Sequence, residues 1–109
     1  MKKSEQIEIN NKCMEAMEEF NKSGFSYMEK PKTRLDSCTA WIYENDRYYV
    51  LQSYNTIVAF IDKTTNTLYD VLRYVYGYTA TSGKHIAKFR RYNKIGVWEY
   101  GKELTYRAV

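Results

Sequence analysis

A chain of 109 residues with 44% hydrophobic residues, two cysteines and one histidine can build one modest core without disulfides or a structural metal. It has no apolar run of the length that crosses a bilayer, and the single histidine excludes any multi-histidine metal site within the chain. The net charge of +4 is unevenly spread: residues 84–109 carry Lys84, Lys88, Arg90, Arg91, Lys94, Lys102 and Arg107 against only Glu99 and Glu103. A cationic last quarter attracts anionic partners.

Residues 1–24 predict an amphipathic helix. Ile9, Cys13, Met17 and Phe20 recur at three- and four-residue steps, with Ser4 placed to cap the start and Gly24 suited to the exit. The start Met-Lys-Lys-Ser carries no apolar segment behind its lysines, so the reading is a cytoplasmic protein. Cys13 and Cys38 read as small buried apolar groups of a reducing compartment. Residues 25–38 form a connector, because Pro31 forbids a continuous helix. It is free to lie over a sheet edge.

Residues 39–76 predict an antiparallel meander. Strands run over 39–43, 47–54, 56–62 and 67–76, separated by the turn clusters Glu44-Asn45-Asp46 and Lys63-Thr64-Thr65-Asn66. Thr56 to Asp62 is apolar on both faces and therefore central. A second, basic helix follows over 81–92, capped by Thr81 or Ser82. Residues 97–106 form a terminal hairpin or extend the sheet, around Gly101-Lys102. The fold class is α+β: one domain over 1–109, with an antiparallel sheet of four to six strands, an N-terminal helix and a short basic helix.

Within the second helix, Lys84, Lys88 and Arg91 are spaced i, i+4, i+7 and make one stripe, with Arg90 flanking it. Ile86 and Phe89 face the sheet. His85 shares a side with Phe89 and Tyr92, which reads chiefly as a partly buried histidine bonded to the sheet or a loop. A phosphate or partner contact is its second reading. Tyr74, Tyr76 and Tyr78 alternate onto one strand face close to this helix. Tyrosines beside cations serve both protein interfaces and single-stranded nucleic acid.

Catalysis finds little support. Gly83-Lys84 before a helix fails as a phosphate loop, because Gly77 precedes Gly83 by six positions where five are required, and His85 stands where a Ser or Thr must hold magnesium. Asp36, Asp46, Asp62 and Asp70 fall at turns and strand ends without acid–base spacing. The expectation is a non-enzyme without cofactor or metal.

The segments Ser53-Tyr54-Asn55-Thr56-Ile57-Val58-Ala59-Phe60 and Tyr78-Thr79-Ala80-Thr81-Ser82-Gly83-Lys84-His85-Ile86-Ala87-Lys88-Phe89 resemble a family of small proteins from bacteriophages and mobile elements of Gram-positive bacteria. Its members look like Ser-Tyr-x-Thr-x-Val-Ala on a strand, followed by Tyr-x-x-Thr-[ST]-x-[KR]-His-[IV]-x-x-Phe entering a helix. The resemblance covers about residues 41–92. It carries over Tyr54, Thr56, Ala59, Thr81, His85 and Phe89, mainly in structural roles, and no catalytic residue.

The resemblance implies a phage-type origin. By analogy with small phage proteins that block host machines, the expected function is inhibition of a bacterial defence complex, most concretely as an anti-CRISPR protein in the host cytoplasm. The partner would be a host defence protein or ribonucleoprotein complex, met by Lys84, Lys88, Arg90, Arg91, His85 and the tyrosines at 74, 76 and 78. Direct nucleic-acid binding through the same residues is the second expectation, and a homodimeric assembly protein the third.

Overall fold

In the computed structural model, the described residues are 2–23, 33–36, 40–44, 46–54, 56–72, 80–92 and 102–106. Helix α1 spans Lys3–Lys22 and helix α2 spans Ala80–Tyr92. Six strands, β1 (Thr33–Asp36), β2 (Ala40–Glu44), β3 (Tyr48–Ser53), β4 (Thr56–Asp62), β5 (Thr67–Asp70) and β6 (Lys102–Thr105), lie side by side in chain order in one sheet. The first five pair antiparallel; β6 runs parallel to β5. The class is α+β, with a mostly antiparallel sheet.

Each helix covers one face of the sheet. Cys13, Met17 and Phe20 of α1 pack with Tyr43, Tyr48, Val50, Ile57, Phe60 and Leu104. Ile86 and Phe89 of α2 pack with Ile42, Leu51, Val58, Ala59, Ile61 and Leu68 on the other side. Strand side chains alternate between faces, so a sheet buried on both must be apolar at nearly every position. β4 meets this demand: every residue from Ile57 to Asp62 is buried.

A β-bulge between β3 and β4 adjusts the alternation along β4. Leu51 pairs with Ala59 and Gln52 with Ile57, leaving Val58 as the extra residue. Val58 therefore joins Ala59 on the α2 side, and its carbonyl accepts the Val71 N–H at 3.1 Å. Ser53, two residues beyond Leu51 on β3, lies on the α2 side by simple alternation, where its hydroxyl meets that helix.

Several local expectations change. α1 begins at Lys3 with Lys2 as its cap residue and no side-chain cap. Ser4 lies inside the first turn, and Ser23 closes the other end by donating to the Phe20 carbonyl at 2.6 Å. α2 begins at Ala80, so Thr81 and Ser82 also lie inside the first turn rather than before it. The connector holds an edge strand, β1, which pairs with β2; the Arg34 guanidinium sits 4.8 Å above the Trp41 ring. The strand expected over 67–76 ends at Asp70, and Leu72 is already helical.

The terminal strand is not a described hairpin: β6 joins β5 in parallel, with Lys102 N–H donating to Asn66 O and Tyr106 N–H to Asp70 O. Cys38, Gly24 and the expected strand over 97–100 lie outside the described residues.

The α1 side is centred on three rings. Phe20 stacks on Phe60 with centroids 5.0 Å apart, and Tyr48 meets both edge-on at 5.0 and 5.6 Å. Phe20 and Phe60 are essentially inaccessible. Truncating such a ring removes apolar burial and leaves a void. Phe20→Ala is expected to lower the unfolding free energy by about 3–5 kcal/mol, read from the denaturant midpoint at unchanged slope.

Candidate cationic face on helix α2

The hairpin tip of β3–β4 and the first half of α2 meet. Ser53 and Thr56 pair across a two-residue connection that begins with Tyr54. Ser53 Oγ and His85 Nδ1 lie 2.8 Å apart, both groups almost fully buried. The Tyr54 ring lies 6.0 Å from the His85 ring. The two sequence segments around Ser53 and His85 are joined in space: Ser53 and Tyr54 touch His85, and Ala59 shares a cluster with Phe89.

A buried histidine needs hydrogen-bond partners, because an unmet polar group inside a core costs its desolvation. Ser53 supplies one. Together with Ile86 and Phe89, which are fully buried, this bond sets the rotation of α2 on the sheet. The opposite side of the helix then carries Lys84, Ala87 and Arg91 exposed and Lys88 half-exposed. No acidic residue occurs between Ala80 and Tyr92. Neither Lys84 nor Arg91 forms an ion pair with a described residue. The described glutamates of α1 pack across the sheet, where Glu19 meets Arg47 at 2.8 Å and Glu8 meets Lys12 at 3.4 Å.

Arg90 is placed differently from the stripe. Its Nε donates to Glu103 of β6 at 2.8 Å and its Nη2 to Asp70 of β5 at 3.0 Å. It clamps α2 to the edge of the sheet and is committed there. Burial pushes the Asp70 carboxyl above the ordinary range, against the lowering by the Leu72 N–H and Arg90. Tyr74, Tyr76 and Tyr78 lie outside the described residues. Of the residues singled out in the sequence, Lys84 and Arg91 are exposed on one side of α2 with the half-exposed Lys88 between them, while His85 lies on the buried side.

On the other face, a cleft of about 260 Å³ is lined by residues including Lys12, Glu19, Arg47, Asp62, Tyr69 and Lys102. Its central charges satisfy one another: Arg47 donates to Asp62 at 3.0 Å and 3.4 Å and pairs with Glu19. Burial pushes Asp62 upward, but hydrogen bonds from Arg47 and from the Thr64 hydroxyl and N–H outweigh it and hold the carboxyl below its ordinary value. Burial, aided by Asp70, raises the Cys13 thiol to about 12, which keeps it protonated and unreactive. Among the described residues, no group of three His, Cys, Asp or Glu side chains is gathered to hold a metal ion, and no helix is long and apolar enough to cross a membrane.

Two layers of helix over a six-stranded sheet, with one cationic helix side, define the class of domain. The chain belongs to a family of unknown function (DUF8033), whose model matches residues 4–105. No curated protein and no solved structure matches it.

Sequence reading missed Ser53 as the partner of His85 and Tyr54 as an exposed residue beside it. The signal for Ser53 was present: a lone histidine directed toward the core calls for a polar partner on a neighbouring strand. Ser53→Ala is expected to cost about 1–3 kcal/mol of stability, and a double-mutant cycle with His85→Leu is expected to show coupling between the two sites.

Asp62 gives a pH prediction. Its folded pKa lies below the ordinary value of 3.8, so its contribution is present above that value and is lost as pH falls through the folded one. Asp70 has the opposite sign, contributing most below 3.8 and less as pH rises through its raised folded value. Acid titration of unfolding is therefore expected to show a shallower low-pH loss in Asp62→Asn than in the wild-type chain.

Proposed function

We propose that this protein is a phage-encoded binding protein that acts without catalysis, in the cytoplasm of a bacterial host. In its most specific form, the proposal is inhibition of a host defence ribonucleoprotein complex, as an anti-CRISPR protein. The contact face is the outer side of α2, with Lys84, Lys88 and Arg91 in line and Tyr54 beside the helix.

One observation carries the choice of face. Lys84 and Arg91 at the ends of the stripe are exposed; the stripe lies on a helix devoid of acidic residues and is separated by the sheet from the glutamates of α1. Surface charges of one sign raise the encounter rate with an oppositely charged partner and make binding sensitive to salt. A nucleic-acid-handling assembly offers such a partner. The α1 cleft supports the reading indirectly, since its central charges already answer one another and leave less net field for an incoming charge.

The test is capture from host lysate by the tagged full-length chain. Wild type is expected to retain a defence complex. The double variant Lys84→Glu/Arg91→Glu is expected to retain at least tenfold less with an unchanged unfolding midpoint, since both side chains are exposed. Equal capture by the variant would show that the stripe is only a solvated surface.

A further inference from the structure

Tyr54, which flanks α2 at His85, is an exposed residue that packing leaves without a reason. Its backbone φ is 55°. Positive φ is adopted readily by glycine and tolerated by asparagine, but it is unfavourable for a bulky side chain. Asn66, at φ 51°, is a residue type that suits the conformation; Tyr54 is not. Burial does not offset the strain either, because the ring is 52% exposed. It rests tilted by 46° against His85, which Ser53 in turn holds. A strained, exposed ring braced by a buried pair is presented rather than packed, and strain of this kind concentrates at binding sites.

We infer that Tyr54 is a stacking platform for a base of single-stranded nucleic acid, whose backbone lies along Lys84, Lys88 and Arg91. This deepens the proposed function and rests on its assignment of the contact face. Seven helical positions separate Lys84 from Arg91, a rise of about 10 Å along the axis, so the cations form a line rather than a point. An acidic protein patch answers the cations, and takes the ring only where it also offers an apolar seat for it. A duplex answers the cations but keeps its bases stacked inside. A single strand uses both, its phosphates meeting the line of charge and an unstacked base meeting the ring. Recognition would be tolerant of sequence, since every base offers a π-face.

The test uses the full chain and a short fluorescein-labelled oligothymidylate, followed by anisotropy, with an oligouridylate and a duplex of equal length as further arms. The single strands are expected to bind more tightly than the duplex. The slope of log affinity against log salt is expected to be about −2, as for three phosphate contacts on a single strand. Tyr54→Phe is expected to keep the affinity. Tyr54→Asn is expected to lose roughly ten- to hundredfold while its unfolding midpoint stays level or rises, because asparagine accepts positive φ; that stability readout separates lost stacking from lost folding.

Wild-type affinity in Tyr54→Asn, or tighter binding to the duplex, would overturn the platform. Absent oligonucleotide binding by a wild type whose capture of a defence complex is lost in Lys84→Glu/Arg91→Glu would also overturn it, leaving the contact face standing with a protein as its occupant. Capture and oligonucleotide binding that are both indifferent to the charge reversal would remove the contact face itself.

Discussion

The hydrogen bond between Ser53 and His85 is the constraint on which the rest of this molecule's surface depends. It ties the last residue of β3 to the first half of α2 at 2.8 Å, inside a region closed to solvent. Ile86 and Phe89 fill the sheet below, and Arg90 pins the far half of the helix to Asp70 and Glu103. Three attachments of different chemistry fix the rotation of a helix whose remaining side is cationic. Were α2 rotated by a quarter turn, lysine would enter the core and isoleucine would leave it, an exchange no small domain tolerates. The outward stripe is therefore a consequence of what the inward side must satisfy.

The sheet separates two electrostatic regimes. On the α1 face, Arg47, Glu19 and Asp62 form a matched group around the cleft, with the stacked rings of Phe20 and Phe60 beneath the helix. The Arg47–Glu19 pair is largely exposed and adds little stability by itself, whereas Asp62 is buried; together they leave a face with little net field. On the outer side of α2 the charges are of one sign, while the acids of its sheet face, Asp70 and Glu103, are taken up by Arg90. Both arrangements sit on β4, whose residues from Ile57 onward are buried against the helices. A bulge at Val58 adjusts the register so that both helices find apolar seats.

Much of this was legible in the residues themselves. The three- and four-residue spacing of Cys13, Met17 and Phe20 marked α1 and its buried stripe, and the unbroken apolar run from Ile57 to Ile61 marked the central strand. The spacing of Lys84, Lys88 and Arg91 marked one helix side. What escaped depends on distant partners. Thr33–Asp36 is short and polar, and it becomes a strand only because β2 offers an edge to pair with. β6 pairs in parallel with a strand more than thirty residues earlier, which no turn chemistry at Gly101 announces. Arg90 read as one more basic surface residue; only the fold brings Asp70 and Glu103 within its reach. The two-residue link after Ser53 held the signal for positive φ at Tyr54, since so tight a connection between strands demands it, and a bulky residue there is the exception.

The most direct measurement of the central claim is a residue-resolved footprint: amide shifts of the isotopically labelled full chain during titration with a short oligothymidylate. The account predicts perturbations confined to Tyr54 and to α2 between Lys84 and Arg91, fading as salt is raised. Perturbations centred instead on α1 and the cleft around Arg47, or shifts at Tyr54 and α2 that ignore salt, would contradict it.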